Sequence, residues 1–350
     1  MSIIINLLLF VLILGIIVFV HEFGHFILAK WNGVYVYEFA LGMGPKIWGF
    51  KKGETEYNLR AIPIGGFCQL AGEDLDTDDD KKIPKNKRLQ NKKPWQRFLI
   101  MLFGPMNNFI LAVILIFLIA LIWGGSTMNP VLYKVEKDSA AYDAGLRSKD
   151  VIVSINNNKI ENSDDVTLYL AVASTSKDNT IVVKRDNKEY KFKVKPRKVK
   201  EDGKDTYKYG ISMKQKKTKG FVNAIVYTYR KTKSIFKQMF VTLLYLFTGR
   251  VKLSQLSGPV GIYSIVGEQR SAGLASLIYL TAFLSINVGV INLLPIPAFD
   301  GGHILFIIIE KLKGSPVKPE LENKIHGIFL VLLLILMVII TFNDIFRLFN

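Results

Sequence analysis

Cysteine is nearly absent: Cys68 is the only one in 350 residues. No disulfide can close within the chain, and a cysteine-built structural zinc site is excluded. Histidine is also scarce, with four in all. Any imidazole chemistry must come from His21, His25, His303 and His326. No Lys or Arg precedes Lys30. The first apolar run therefore lacks the basic flank of a cleaved signal peptide, and it has no small-residue cleavage site. Also missing is any module that interleaves Lys and Arg with aromatics, so a net charge of +17 does not read as nucleic-acid binding. It reads as basic loops on the inner side of a membrane plus a basic extramembrane domain beside anionic lipid.

Long apolar runs are abundant. Half of the residues are apolar and mean hydropathy is +0.26, which places the chain among polytopic α-helical membrane proteins. Four spans are predicted, within 1–30, 97–125, 272–303 and 325–347. A loop over 31–96 follows the first span; Glu54 to Leu70 reads as strands around a Pro/Gly turn. Its apolar half could return toward the first span as a β-hairpin and offer an edge to an extended peptide. Asp74 to Lys93 reads as solvated and mobile. Residues 127–219 are soluble in composition, with strands at Val131–Val135, Val151–Ile155, Thr180–Arg185 and Tyr190–Val194 and a helix near Asp164–Val172. Residues 220–253 carry a basic amphipathic helix whose apolar tail, Met239 to Phe247, is too short to span; it reads as lying on the outer surface with its end dipping in. Ser254 to Ile262 reads as a Gly/Pro loop. Asn107 and Asn108, inside the second span, read as helix–helix hydrogen bonders.

The chemistry centres on His21-Glu22-Phe23-Gly24-His25. Residues i and i+4 share one helix face, so both imidazoles can reach one zinc ion, with Glu22 as general base. Two histidines and a glutamate are costly in hydrocarbon and require a partner or a purpose there. A catalytic zinc needs a third protein ligand. Asp300 is the leading candidate. With no Lys or Arg before the first span and several after it, the N-terminus is outside and the motif lies toward the cytoplasmic leaflet. If 220–253 does not cross, the third span runs parallel to the first and brings Asp300 to the same depth. His303 is a rival ligand and His326 is given no role. The Pro295/Pro297 segment before Asp300 breaks the helix, which is tolerated at membrane depth where it lines a cavity.

These residues resemble the site-2 proteases, membrane-embedded zinc endopeptidases. His21 to His25 fits their HExGH-type motif, and Asn292 through Gly301 fits NxxPxPxxDG. Ser139 to Asn156 resembles a PDZ domain, and this insert, with Gly258-Pro259-Val260-Gly261, fits the bacterial branch that cleaves anti-sigma factors. The resemblance implies a four-span core with a membrane-dipping β-hairpin and an extracytoplasmic PDZ domain, in the bacterial cytoplasmic membrane with both termini outside. It implies one Zn2+ held by His21, His25 and Asp300, with Glu22 as base. Asn292, Pro295 and Pro297 would contact the substrate or the developing oxyanion, and the β-loop through Gly65, Gly66 and Phe67 would hold the substrate extended. Implied partners are membrane lipids and single-span proteins such as anti-sigma factors already trimmed by a site-1 protease, or remnant signal peptides. There are two departures: Phe299 replaces the usual Leu before the Asp, and there is one PDZ domain where some relatives carry two. The alternative is a zinc-binding membrane scaffold or transporter with a PDZ interaction domain. Transport calls for ligands strung across the bilayer, whereas these cluster at one depth beside a general base.

Overall fold

Hydrocarbon leaves backbone groups no partner but each other, so an unbroken apolar run becomes a helix. Helix α1 accordingly runs Ser2–Trp31 and stops where Gly33 turns left-handed (φ 66°) and Asn32 bonds back to the Leu28 carbonyl. The computed structural model of the chain describes residues 2–73, 78–201, 204–250, 256–315 and 317–349. The acidic start of the 74–93 stretch and the Ser254-Gln255 head of the Gly/Pro loop lie outside them.

Strands β1 (Val36–Lys52) and β2 (Thr55–Leu70) follow, joined at a turn where Lys52 faces Thr55. Both strands bend. The first part of β1 lies between two parts of β2: Phe39 is paired with Cys68 and also with Tyr57. The ribs are ordered 48–52, 55–59, 38–41, 66–70, so residues 66–70 form an edge. The bends need positive φ, supplied by Gly42 (87°), Gly44 (82°) and Gly65 (84°). Glu54 to Leu70 was expected to pair with itself around Pro63; its main partner is instead Val36–Lys52, a strand not expected. The linker also differs from expectation. Helix α2 (Asp78–Lys82) is pinned by Asp80, which accepts from the Tyr37 hydroxyl (2.9 Å) and the Gly72 amide (3.0 Å) and is 4% exposed. Helix α3 runs Pro94–Trp123.

The chain divides into two compact units, 1–116 with 253–350, and 117–252. The second unit holds short strands β3 (Gly125–Ser126) and β4 (Lys134–Val135), helix α4 (Ala140–Asp143), β5 (Val151–Ile155), β6 (Asn158–Lys159), helix α5 (Ser163–Ala171), β7 (Asn179–Arg185), β8 (Lys188–Val194), the pair β9 (Arg197–Glu201) and β10 (Lys204–Lys208), then β11 (Ile211–Ser212) and β12 (Lys217–Thr218). A four-stranded sheet, β6-β5-β7-β8, carries a core including Leu146, Ile152, Val166, Ile181 and Val183. Ser139 caps α4 and Asn162 caps α5. Val131 makes only a bridge to Val151, so the first expected strand is much shorter. The β9–β10 hairpin was not expected. Helix α6 (Phe221–Phe247) is docked on α5 by Lys231–Asp164 (2.7 Å) and Lys237–Asp165 (2.9 Å), with Val241 against the core.

In the first unit the chain continues through α7 (Pro259–Ala272), α8 (Leu274–Asn292), α9 (Asp300–Lys313) and α10 (Pro319–Phe349). The Gly/Pro loop is therefore shorter than expected, and α7 and α9 are additional helices. Both are short, and their sequences lack the apolar length that marks a span. Asp344 of α10, 3% exposed, accepts from the Gly258 and Gly261 amides, both at 2.8 Å, and so caps α7. Phe10, Ile13 and Ile17 of α1 pack on Val266 of α7 and Leu280 of α8. Arg97 of α3 pairs with Glu310 of α9 at 2.7 Å. Among the described residues four helices are long and apolar enough to cross a membrane: α1, α3, α8 and α10.

Candidate metal centre

Helical periodicity sets His21 and His25 one turn apart on α1, with their Nε2 atoms 3.2 Å from each other. Two glycines let α3 come close. A Cβ on Gly24 would lie 2.2 Å from the Phe103 carbonyl oxygen, and one on Gly104 would lie 2.2 Å from His25 Nε2. His25 Nδ1–H donates to the Ile100 carbonyl at 2.8 Å, which leaves its Nε2 lone pair facing inward. His21 Nδ1 lies 3.3 Å from the side-chain amide of Asn108, which is 0% exposed and whose Oδ1 has no partner among the described residues. Amide oxygen and nitrogen have the same shape. Turned over, Asn108 Oδ1 accepts Nδ1–H and frees the Nε2 lone pair of His21 as well.

The turn between α8 and α9 delivers Asp300. Its Oδ2 is 3.1 Å from His21 Nε2, and its Oδ1 is 3.5 Å from His25 Nε2. Among the described residues Oδ2, which is buried, has no hydrogen-bond donor. Lone pairs crowded this closely repel unless a cation sits among them. Tetrahedral zinc with bonds of about 2.0–2.1 Å sets its ligands about 3.3 Å apart, so the three groups fit zinc. Glu22 stands beside them, against the Cys68 backbone amide. A Cβ on Gly66 would come within 3.7 Å of Glu22 Cγ.

The edge rib thus passes Glu22 at Gly66 and Cys68. Phe67 packs under the Arg60 guanidinium (4.9 Å), and Gly65 meets Met43. Asn292 ends α8 half-buried; Pro295 is exposed and Pro297 buried on the turn that leads to Asp300. His303, the rival ligand, is not brought in. It faces Glu322 (3.4 Å) and stacks on His326, ring centroids 4.1 Å apart. It follows Asp300 by about one helical turn, yet its ring is held by these two residues of α10 instead.

The profile of Peptidase family M50 matches residues 9–336. The chain belongs to peptidase family M50. The Regulator of sigma-W protease RasP of Bacillus subtilis is 34% identical over 97% of this chain and 98% of that one. The Zinc metalloprotease RasP of Bacillus licheniformis is 32% identical at the same coverage, and a putative zinc metalloprotease of Clostridium perfringens is 37% identical over 94% of this chain and 95% of its own. The alignment to the Bacillus subtilis protein runs over 416 residues, more than the 350 here, so that relative carries inserted segments. As an M50 peptidase with four membrane-length helices, the chain is a multi-pass membrane zinc metalloprotease and its cofactor is zinc. The family decides for an enzyme over a scaffold or transporter.

Within this M50 centre, sequence reasoning missed Gly104 and undervalued Asn108. Asn107 does what was expected, donating to the Val20 carbonyl at 3.2 Å. The available signal was spacing: Gly104 and Asn108 stand four apart, on one face of α3, as the histidines do on α1.

Proposed function

We propose that this chain is an intramembrane endopeptidase that cuts single-span substrates at a zinc held by His21, His25 and Asp300, with Glu22 as general base. The observation that carries the reading is the convergence of three inward lone-pair donors at 3.1–3.5 Å beside a carboxylate that is not one of them. Bound zinc supplies Lewis acidity, lowering the pKa of a water and polarising the scissile carbonyl. Glu22, steadied by the Cys68 amide, takes the proton and hands it to the leaving amine. Asn292 donates to the developing oxyanion, and Pro295 and Pro297 shape the wall beside it. A helical substrate must unwind to be cut. The 66–70 edge supplies its carbonyls and amides with strand partners, through Gly65, Gly66 and Phe67. Exposed Met43, Ile47, Trp48, Phe50 and Ile62 on the same sheet support a hairpin that dips into lipid.

Residues 127–219 are read as one extracytoplasmic PDZ domain, supported by the β6-β5-β7-β8 sheet and helix α5. The amphipathic α6 lies interfacially, and both termini are outside, which puts the centre toward the cytoplasmic leaflet. RasP of Bacillus subtilis is named for regulating sigma-W. By that likeness the substrates here are anti-sigma factors trimmed first by a site-1 protease, with remnant signal peptides a second class. The test uses purified protein in detergent with a single-span anti-sigma reporter. Glu22→Gln keeps one zinc per chain and loses cleavage, while Asp300→Ala loses zinc. Cleavage by Glu22→Gln removes Glu22 as base, and full zinc in Asp300→Ala removes Asp300 as ligand.

A further inference from the structure

The His303, Glu322 and His326 cluster lies outside the centre, although its side chains could together hold a metal ion. One hydrogen bond argues against that use. His326 Nδ1 accepts from the Ala298 amide at 3.0 Å, so the proton of the neutral ring is on Nε2, which faces Glu322 Oε1 at 3.9 Å. With one nitrogen accepting and the other protonated, the ring has no lone pair left for an ion.

That bond ties α10 to the turn that carries Asp300. The turn has few amides to offer, since Pro295 and Pro297 have none. Leu294, Ile296 and Phe299 bond back within the turn or to the end of α8. The Ala298 amide alone among these reaches another helix. Ala298 also sits at φ 87°, a left-handed conformation that a residue with a Cβ adopts only when held there. The turn and the first turn of α9 are packed as one body. A Cβ on Gly301 would lie 2.1 Å from the Leu294 carbonyl oxygen, and one on Gly302 would lie 2.7 Å from that of Ile296. A shift at Ala298 is therefore passed to Asp300, two residues on.

We propose that His326 is a positioning residue for the metal centre: by accepting the Ala298 amide it holds the Pro295–Phe299 turn in the strained conformation that aims Asp300 at His21 and His25. The proposal rests on the reading of Asp300 as a ligand. His303 and Glu322 keep the ring oriented, by stacking and by facing Nε2.

The test is zinc affinity of the full-length protein in detergent, by competition with a chromophoric chelator, alongside thermal melting. His326→Leu weakens zinc about ten- to hundredfold, as loss of a residue that orients a ligand typically does. His326→Asn, whose Oδ1 replaces Nδ1, retains most of the affinity; His326→Gln, whose oxygen reaches the Nε2 position instead, does not. Ala298→Gly, which relaxes the positive φ, shrinks the effect of His326→Leu. Wild-type affinity in His326→Leu overturns the clamp, as does a loss in His326→Asn equal to that in His326→Leu. Asp300→Ala separates the two ideas. If it binds zinc normally, the ligand reading fails and the clamp with it. If it loses zinc while His326→Leu does not, the clamp alone fails.

Discussion

Gly104→Ala is the sharpest perturbation of the metal centre that leaves every ligand in place. The new methyl would lie 2.2 Å from His25 Nε2, 2.5 Å from its Cε1 and 3.0 Å from His21 Nε2. Non-bonded carbon and nitrogen do not approach within about 3.0 Å, so the His25 ring must retreat by roughly 0.8 Å, or α3 must draw away from α1. Zinc tolerates ligand displacements of about 0.2 Å. His25 is also held from behind by its bond to the Ile100 carbonyl, so the ring cannot simply rotate. The expected outcome is a loss of zinc affinity of at least about 100-fold, or roughly 2.8 kcal/mol at 1.4 kcal/mol per decade, and loss of cleavage with it. Zinc per chain by mass spectrometry and chelator competition read the first consequence, and a reporter cleavage assay reads the second. Gly15→Ala is the control: it is on α1, and its methyl would meet nothing within 4 Å. It should keep wild-type zinc. If Gly104→Ala binds zinc as tightly as wild type, the packing of α3 against the two histidines is wrong, and the geometric case for the centre goes with it.

Three further outcomes follow from the same contacts. Asn108→Leu removes the acceptor for His21 Nδ1–H and should weaken zinc about ten- to hundredfold, whereas Asn108→Asp, which keeps an acceptor, should lose less; equal affinities in chelator competition would refute the orientation role. Asp344→Ala strips two amides at the start of α7 of their cap and should cost on the order of 2–3 kcal/mol of stability; it would be read as a lower melting temperature with zinc affinity kept, and an unchanged melt refutes it. Burial pushes the Cys68 thiol well up. A raised thiol pKa means less thiolate at a given pH, so iodoacetamide at pH 8 should label the unfolded chain and leave the native one nearly unmarked; equal rates would show an accessible thiol.

Much of the architecture was legible because it is written at short range. An i, i+4 histidine pair needs only helical periodicity, and the four long helices need only apolar length. Helix α5 (Ser163–Ala171) falls where a helix was expected, near Asp164–Val172. The β1–β2 pairing was not legible in the same way. It joins Val36 to Leu70 across two glycine-permitted bends, and its exposed apolar residues blur the alternation by which a strand is recognised. The α7 and α9 helices were hidden by the Gly and Pro residues at their starts, which read equally well as loop.

The sequence by itself therefore determined the chemistry available: two imidazoles on one face of a membrane helix, a carboxylate next to them and a second one in a proline-broken turn. Tertiary structure alone decided which groups meet. His303 and Asp300 lie on the same short helix, three residues apart and so near one face of it, yet only Asp300 enters the centre, because His303 is taken up by Glu322 and His326 of α10. Asn108 and Asn107 are neighbours of identical chemistry, and the rotation of α3 against α1 gives one to an imidazole and the other to a carbonyl. Local periodicity follows from backbone geometry that each residue carries with it. The contact between two helices depends on the summed packing of everything between them, and that sum exists only once the chain has closed.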